Sequence, residues 1–308
     1  MVDRDAIEAA ARRVAGRIRE TPVIALEGGA LGAPAPLLLK LESLQHTGSF
    51  KPRGALNRIL SAEVPAAGVI AASGGNHGAA VAWAARVLGH RAEIFVPEVA
   101  SPVKVERLRR YGAAVTVTGA TYADAKAASD RRAAESGALV VHAYDQPEVV
   151  AGQGTLFREL ARQVDGLDTV IVAVGGGGLV AGAAAWFAGR VRVIGVEPVR
   201  APTLHAALAA GRPVDVEVGG IAADSLGARR VGDLAFALAR AHVERVLLVE
   251  DEAIRAAQRA LWEAVRVVAE PGGAAALAAV TSGAYRPAAG ERVAVVVCGG
   301  NTDPASVA

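Results

Sequence analysis

The sequence predicts an α/β fold built on mostly parallel sheets. Short apolar runs rich in Val, Ile and Ala alternate with longer stretches of helical periodicity along nearly the whole chain. Three of those runs, ending at Ala72, Val174 and Val297, lead straight into glycine-rich loops, and in open α/β sheets ligands bind at that strand edge. No repeat, low-complexity tail or long linker interrupts the pattern, so two closely packed domains, or one large α/β unit, fit the 308 residues.

Taken in order, residues 3–20 place Ile7, Ala11, Val14 and Ile18 on one face of a predicted helix, ended by Thr21-Pro22. Leu37–Leu41 reads as a strand and Gln45–Lys51 as a loop, with Pro52 opening a helix that runs to Leu60. Gly68–Ala72 is a short buried strand, Ser73–Gly78 a loop, and Ala79–Leu88 a helix closed by Gly89. Strands at Ala92–Pro97, Ala113–Val117 and Ala138–His142 then alternate with helices at Ser101–Tyr111 and Thr121–Ser136. A helix over Val149–Val164 precedes the β-branched strand Thr169–Val174, the tetraglycine Gly175–Gly178 and the apolar helix Leu179–Ala188. Val191–Val196 is a strand ending in Glu197-Pro198, Thr203–Ala210 a helix, and 212–230 an irregular polar stretch. Val246–Val249 is a strand, and Asp251–Val268 a helix capped by Asp251. Glu270-Pro271-Gly272-Gly273 reads as a break before a helix at Ala274–Val280, and the last strand, Val293–Val297, ends in Cys298-Gly299-Gly300-Asn301.

Composition narrows the function. Hydrophobic residues make up 52% of the chain, ample for a large core. Lys and Arg number 33 against 31 Asp and Glu, a net charge of +2, which gives no reason to propose nucleic acid or an anionic membrane as partner. Aromatics at 4% argue against stacking platforms for bases. A single cysteine, Cys298, excludes an intrachain disulfide and a cysteine-based zinc cage. No basic leader followed by an apolar segment opens the chain, and no apolar run reaches membrane-spanning length, so a cytoplasmic protein is expected.

Chemistry concentrates in four loops. The tetraglycine Gly175, Gly176, Gly177 and Gly178 lies between a buried strand and a helix, which makes a nest of backbone N–H groups suited to phosphate; the plain alternative is a tight turn. A P-loop would need Gly-Lys-Ser/Thr next, and Leu179-Val180 follows instead. The spacing Gly176-x-Gly178-x-x-Ala181, with Glu197 ending the next strand, also fits a dinucleotide fingerprint, so an NAD(P)-dependent oxidoreductase stays open. Ser73, Gly74, Gly75, Asn76 and His77 open a second helix and suit a carboxylate, with Asn76 able to meet a phenol-like oxygen or simply to cap. His77 reads as a capping or packing residue, and no histidine spacing suggests a metal. Cys298 is either a small buried hydrophobe or a thiol facing a ring nitrogen. Lys51 follows the strand Leu37–Leu41 in the glycine-bounded stretch Gly48–Gly54, where a desolvated amine becomes a nucleophile.

Together Thr47-Gly48-Ser49-Phe50-Lys51-Pro52-Arg53-Gly54, Ser73–Gly78, Gly175–Gly178-Leu179 and Cys298–Asn301 resemble the fold-type II pyridoxal phosphate enzymes, in particular the serine/threonine dehydratase branch that includes serine racemase. Ala151-Gly152-Gln153-Gly154-Thr155 and Val196-Glu197-Pro198 extend the likeness over nearly the whole chain. The resemblance implies a tryptophan synthase β-like architecture of two three-layer αβα domains, the large one from residues 1–51 and 145–308 and a small one, 52–144, inserted. It implies pyridoxal 5′-phosphate on Lys51, Phe50 beside the ring, Asn76 at the 3′-oxygen, Gly175–Gly178 at the phosphate, Ser73–His77 at the substrate carboxylate and Cys298 at the pyridine nitrogen. The reaction implied is loss of water and ammonia from a β-hydroxy amino acid, with β-replacement as the alternative, in a homodimer. Gly74 stands where racemases of this kind carry a serine, so poor racemisation is expected; Thr203 stands where their cation site has an aspartate, so no metal is expected at Glu197. With Ala308 as the last residue, feedback by a C-terminal regulatory domain is not expected either.

Overall fold

Runs of β-branched residues decide where the sheets form. The computed structural model describes residues 2–33 and 35–307. The chain begins with α1 (Arg4–Val14), β1 (Val23–Leu26), β2 (Leu37–Leu41) and α2 (Lys51–Leu60). Next come β3 (Val69–Ala72), α3 (Asn76–Val87), β4 (Ala92–Val96), α4 (Pro102–Arg110), β5 (Ala114–Val117), α5 (Tyr122–Ser136) and β6 (Leu139–Val140). The rest runs α6 (Pro147–Gln163), β7 (Thr169–Ala173), α7 (Gly178–Phe187), β8 (Arg192–Pro198), α8 (Thr203–Ala210), α9 (Ala223–Leu226) and α10 (Asp233–His242). It closes with β9 (Arg245–Val249), α11 (Asp251–Val265), α12 (Pro271–Thr281) and β10 (Val293–Val297).

The larger sheet has the order β1-β2-β10-β7-β8-β9 and is parallel except for the edge pair β1 and β2. The smaller sheet, β5-β4-β3-β6, is wholly parallel. β7 and β10 are buried at every residue, as parallel strands covered on both faces must be. In β10, Val293 stands opposite Leu37 on one side and Thr169 on the other. β2, β10 and β7 therefore point the same way, and the loops leaving them, toward Lys51, Cys298 and Gly175, open at one edge.

Glycines let three helices close under that edge. A Cβ on Gly152 of α6 would lie 2.5 Å from the Arg53 carbonyl of α2, and one on Gly182 of α7 would lie 2.7 Å from the Gly154 nitrogen. A buried ion network fixes the same junction. Arg53 donates to Glu42 from Nε and Nη2, both at 2.8 Å, and to Glu159 at 2.9 Å. Lys40, fully buried in β2, also pairs with Glu159 and donates to Thr21 O at 2.8 Å. Such a network locks the start of α2, two residues from Lys51.

Some elements differ from their sequence expectation. The first helix stops at Val14 rather than residue 20, with Gly16 at φ 73° beyond it. The strand expected at Ala138–His142 is only Leu139–Val140. β1 and α10 add to the expected elements, and one helical turn, α9, sits inside the stretch expected to be irregular. Glu250, not Asp251, is the N-cap of α11, and Asp251 instead accepts from Ile221 N at 3.2 Å. The break in this region falls at Arg266, whose φ is 54°. Glu270-Pro271-Gly272-Gly273 is the N-cap and first turn of α12: proline is tolerated at the first helical position, and a Cβ on Gly273 would lie 2.0 Å from Gly299 O.

Candidate active site

Lys51 is the first residue of α2, and its Nζ donates to the carbonyl of Ala143 at 2.8 Å, 5.0 Å from the Phe50 ring centroid. The loop before it is stitched to the exit of β10: Phe50 N donates to Cys298 O at 3.1 Å and Gly300 N to Gly48 O at 2.9 Å. Thr47 is held at φ 59°, a conformation costly for a β-branched residue. Burial pushes Lys51 down to about 8, against the opposing pull of Cys298 and Glu270.

One cleft gathers Phe50, Lys51, Asn76, Gly175, Gly176, Gly177, Gly178 and Cys298. Ser73, Gly74, Gly75 and His77 do not line it, but they form the loop and first turn of α3 on either side of Asn76. Tyr144, Ser225, Leu226 and Glu270 also line it, beside Ala173, Leu179 and Gly272, and these four were not assigned to the site from sequence. Their signals were faint: Ser225 and Leu226 lie in the polar stretch read as irregular, and Glu270 in the stretch read as a break. Ser225 Oγ accepts from Gly272 N at 3.1 Å, which holds α9 against α12.

The tetraglycine fits a phosphate. α7 starts at Gly178 with Gly177 as N-cap at φ 91°, and no side chain caps its free N–H groups. Side chains are excluded there, since a Cβ on Gly176 would lie 2.3 Å from the Tyr144 ring and one on Gly178 2.9 Å from Tyr144 Cβ. The N-terminus of α3 is likewise without a side-chain cap, behind Gly75. The His77 ring is turned away: Nε2 lies 2.9 Å from Val141 O, and burial pushes its pKa down to about 3. Only its backbone N–H remains for a carboxylate. An open helix end beneath side-chain-free residues, with a neutral-prone amine in the same cleft, suits an aldehyde that carries a phosphate.

Polar groups at the far wall are mutually bonded. Asn76 Nδ2 donates to Glu270 Oε1 at 2.6 Å, and Asn301 Nδ2 donates to Asn76 Oδ1 at 2.7 Å. Burial pushes Glu270 up to about 7, although the Asn76 hydrogen bond opposes it. Cys298 donates to Gly272 O at 3.4 Å, and burial raises its thiol to about 12, so it stays neutral. Glu197 is committed elsewhere. Its two carboxyl oxygens accept from Leu204 N at 2.7 Å and His205 N at 2.9 Å at the start of α8, and the residue is fully buried, so it is not presented to a ribose. Thr203 donates to Ala228 O at 2.8 Å. Among the described residues no cluster of three or more His, Cys, Asp or Glu has metal-binding geometry, and no helix is long and apolar enough to cross a membrane.

Comparison with known proteins agrees with this geometry. The family model described as pyridoxal-phosphate dependent enzyme matches residues 14–299. The chain is 40% identical over 302 residues to an L-threonine ammonia-lyase of Geobacter sulfurreducens, covering 96% of this chain and 75% of that protein. It is 38% identical to a phenylserine dehydratase of Ralstonia pickettii, covering 99% of this chain and 95% of that protein. Maize serine racemase superposes with a TM-score of 0.92 at 34% identity, over 99% of this chain and 95% of that one. A family match over nearly the full length, on a chain whose strand ends bring a lysine and an open glycine cradle into one cleft, places this protein in the pyridoxal-phosphate dependent enzyme family, with the fold-type II architecture.

Proposed function

We propose that the protein is an ammonia-lyase that eliminates water from L-threonine or L-serine, releasing a 2-oxo acid and ammonia. The observation that carries this reading is a single cleft in which Lys51 is the only amine and the uncapped start of α7 forms the floor, with the uncapped start of α3 alongside. When bound, pyridoxal phosphate supplies the electron sink beside Cα of the amino acid. The side chains and backbone do the rest. Gly175–Gly178 and the first N–H groups of α7 would hold the phosphate. Phe50 would wall the ring, and Asn76 would offer an N–H to its phenolic oxygen, since both line the cleft. Backbone N–H groups along Ser73–His77 take the substrate carboxylate and so orient Cα toward Lys51.

Lys51 would hold the cofactor at rest and take the Cα proton on Nζ during turnover, and burial, which lowers its pKa to about 8 in the cofactor-free cleft, favours the neutral amine that this role needs. Cys298, neutral and buried, cannot keep a ring nitrogen protonated as a carboxylate would. A ring held this way would be a weaker electron sink, which would favour loss of the β-hydroxyl as water, with the proton that Lys51 Nζ took from Cα, over exchange of that proton. The unsaturated amine released hydrolyses to the 2-oxo acid and ammonia. Gly74 supplies no side chain to return a proton from the opposite face, so elimination dominates over inversion.

The nicotinamide reading of Gly176 and Gly178 gives way to the cofactor of the family and to the engagement of Glu197 with α8. We also read the molecule as a cytoplasmic homodimer in which residues 52–144 form a small domain over the cleft; exposed Val99 and Val103 of that domain, at 79% and 74%, are consistent with a covered surface. Borohydride reduction of the cofactor-loaded protein followed by peptide mapping tests the site. A reduced adduct on Lys51 is expected, and an adduct on another lysine, or none, sinks the assignment.

A further inference from the structure

We infer that Asn301 is a positioning residue: it sets the sense of the Asn76 amide, so that Asn76 meets the cleft with a donor and not an acceptor. This role rests on the reading of the cleft as the seat of a pyridoxal ring whose phenolic oxygen lies beside Asn76.

The argument starts at a backbone carbonyl, which can only accept. Asn301 approaches the carbonyl of Thr47 at 2.7 Å, so the amide atom facing it must be the nitrogen. The same nitrogen faces Asn76 at 2.7 Å, so Asn76 must turn its oxygen toward Asn301. Its nitrogen then points to the other side, where it lies 2.6 Å from Glu270 Oε1. Glu270 lines the cleft and Asn301 does not. The donor end of Asn76 is thus the cleft end, with one N–H given to Glu270 and the second uncommitted.

Glu270 cannot impose this sense by itself. Buried to 7% exposure, with its pKa raised to about 7, it is available near neutral pH both as an acceptor and as a donor, and so can accommodate either orientation of Asn76. The instruction comes from Thr47, whose left-handed φ of 59° aims its carbonyl at Asn301. The loop that positions Lys51 therefore also dictates, through Asn301, what the ring oxygen meets. A donor there favours the anionic oxygen and visible absorption of the lysine-bound cofactor. An acceptor favours the neutral phenol and near-ultraviolet absorption.

The test is the ratio of visible to near-ultraviolet absorbance of cofactor-loaded protein at pH 7. Asn301 is part-exposed, so Asn301→Asp is ionised and presents only acceptors, which reverses the instruction to Asn76. The ratio is expected to fall by about five-fold, the effect of exchanging one hydrogen bond. Asn301→Ala removes the instruction without reversing it, and a fall of about two-fold is expected. Thermal unfolding of the cofactor-free variants identifies any that fail to fold, in which case the other variant decides. Either variant, folded and cofactor-bound with the wild-type ratio, overturns the role of Asn301. Wild-type protein with no visible band at all instead overturns the reading of the cleft.

Discussion

Lys51 combines burial with a location one residue inside a helix, and this has a measurable cost. Its pKa of about 8 lies well below the ordinary 10.5, so the folded chain binds fewer protons than the unfolded chain between those values. Stability of the cofactor-free protein should therefore rise as pH climbs from 8 to 10.5. Lys51→Met, which has no such charge, should be more stable than wild type by about 3 kcal/mol at pH 7, with the gap closing across that window. Denaturant midpoints of both proteins against pH check this, and parallel profiles would contradict it. On the proposed reading, Gly74 is a second position where one residue would decide the outcome. A Cβ there would sit 3.6 Å from Val96 Cγ1 and 3.7 Å from Ala100 Cβ, ordinary contacts, so Gly74→Ser should fold. We expect it to raise α-racemisation of L-serine relative to elimination by about ten-fold, as a positioned acid–base group can; a chiral assay of recovered serine showing no change would remove Gly74 from the account. Lys51, Asn76, the four glycines and Cys298 were legible in sequence because each leaves the end of an apolar strand. Glu270 was not, because a proline and two glycines after it look like a break until close packing against Gly299 is seen.

The elements show why this strand-end rule worked. β10 is the last strand in sequence yet lies between β2 and β7, so its exit places Cys298 near both Lys51 and Gly175. The strands themselves were legible from uninterrupted Val and Ile runs, whereas their order was not, since it depends on pairings between segments far apart in sequence, Val293 with Leu37 and with Thr169. α10 and β1 escaped notice for a related reason: four residues of β1, none fully buried, carry little periodicity. The start of α2 is held by Arg53, and its partners were invisible in sequence because Glu42 and Glu159 come from distant segments. Removing one member of a buried ion network leaves the others unpaired. Arg53→Ala should thus cost about 3–5 kcal/mol in chemical denaturation. A loss under about 1 kcal/mol would mean that Glu42 and Glu159 find water or other partners.

At the scale of the whole molecule, two parallel sheets offer their strand ends to one space. The larger sheet contributes Lys51, the tetraglycine and Cys298, and the smaller contributes Asn76 and the Ser73–Gly78 loop from the exit of β3. Contacts that cross between them, Asn76 to Glu270 at 2.6 Å and the exposed pair Lys104 and Asp224, bring the Ser73–Gly78 loop against the cleft. On the proposed reading this division suits chemistry at Cα: one body would fix the electron sink and the base, and the other would grip the amino acid. The most direct measurement is release of 2-oxo acid and ammonia from L-threonine by the cofactor-loaded protein, with no nucleophile added, alongside Lys51→Ala. We predict equal amounts of both products from wild type and none above background from the variant. Product formation that requires an added nucleophile, or that persists in Lys51→Ala, would contradict the account.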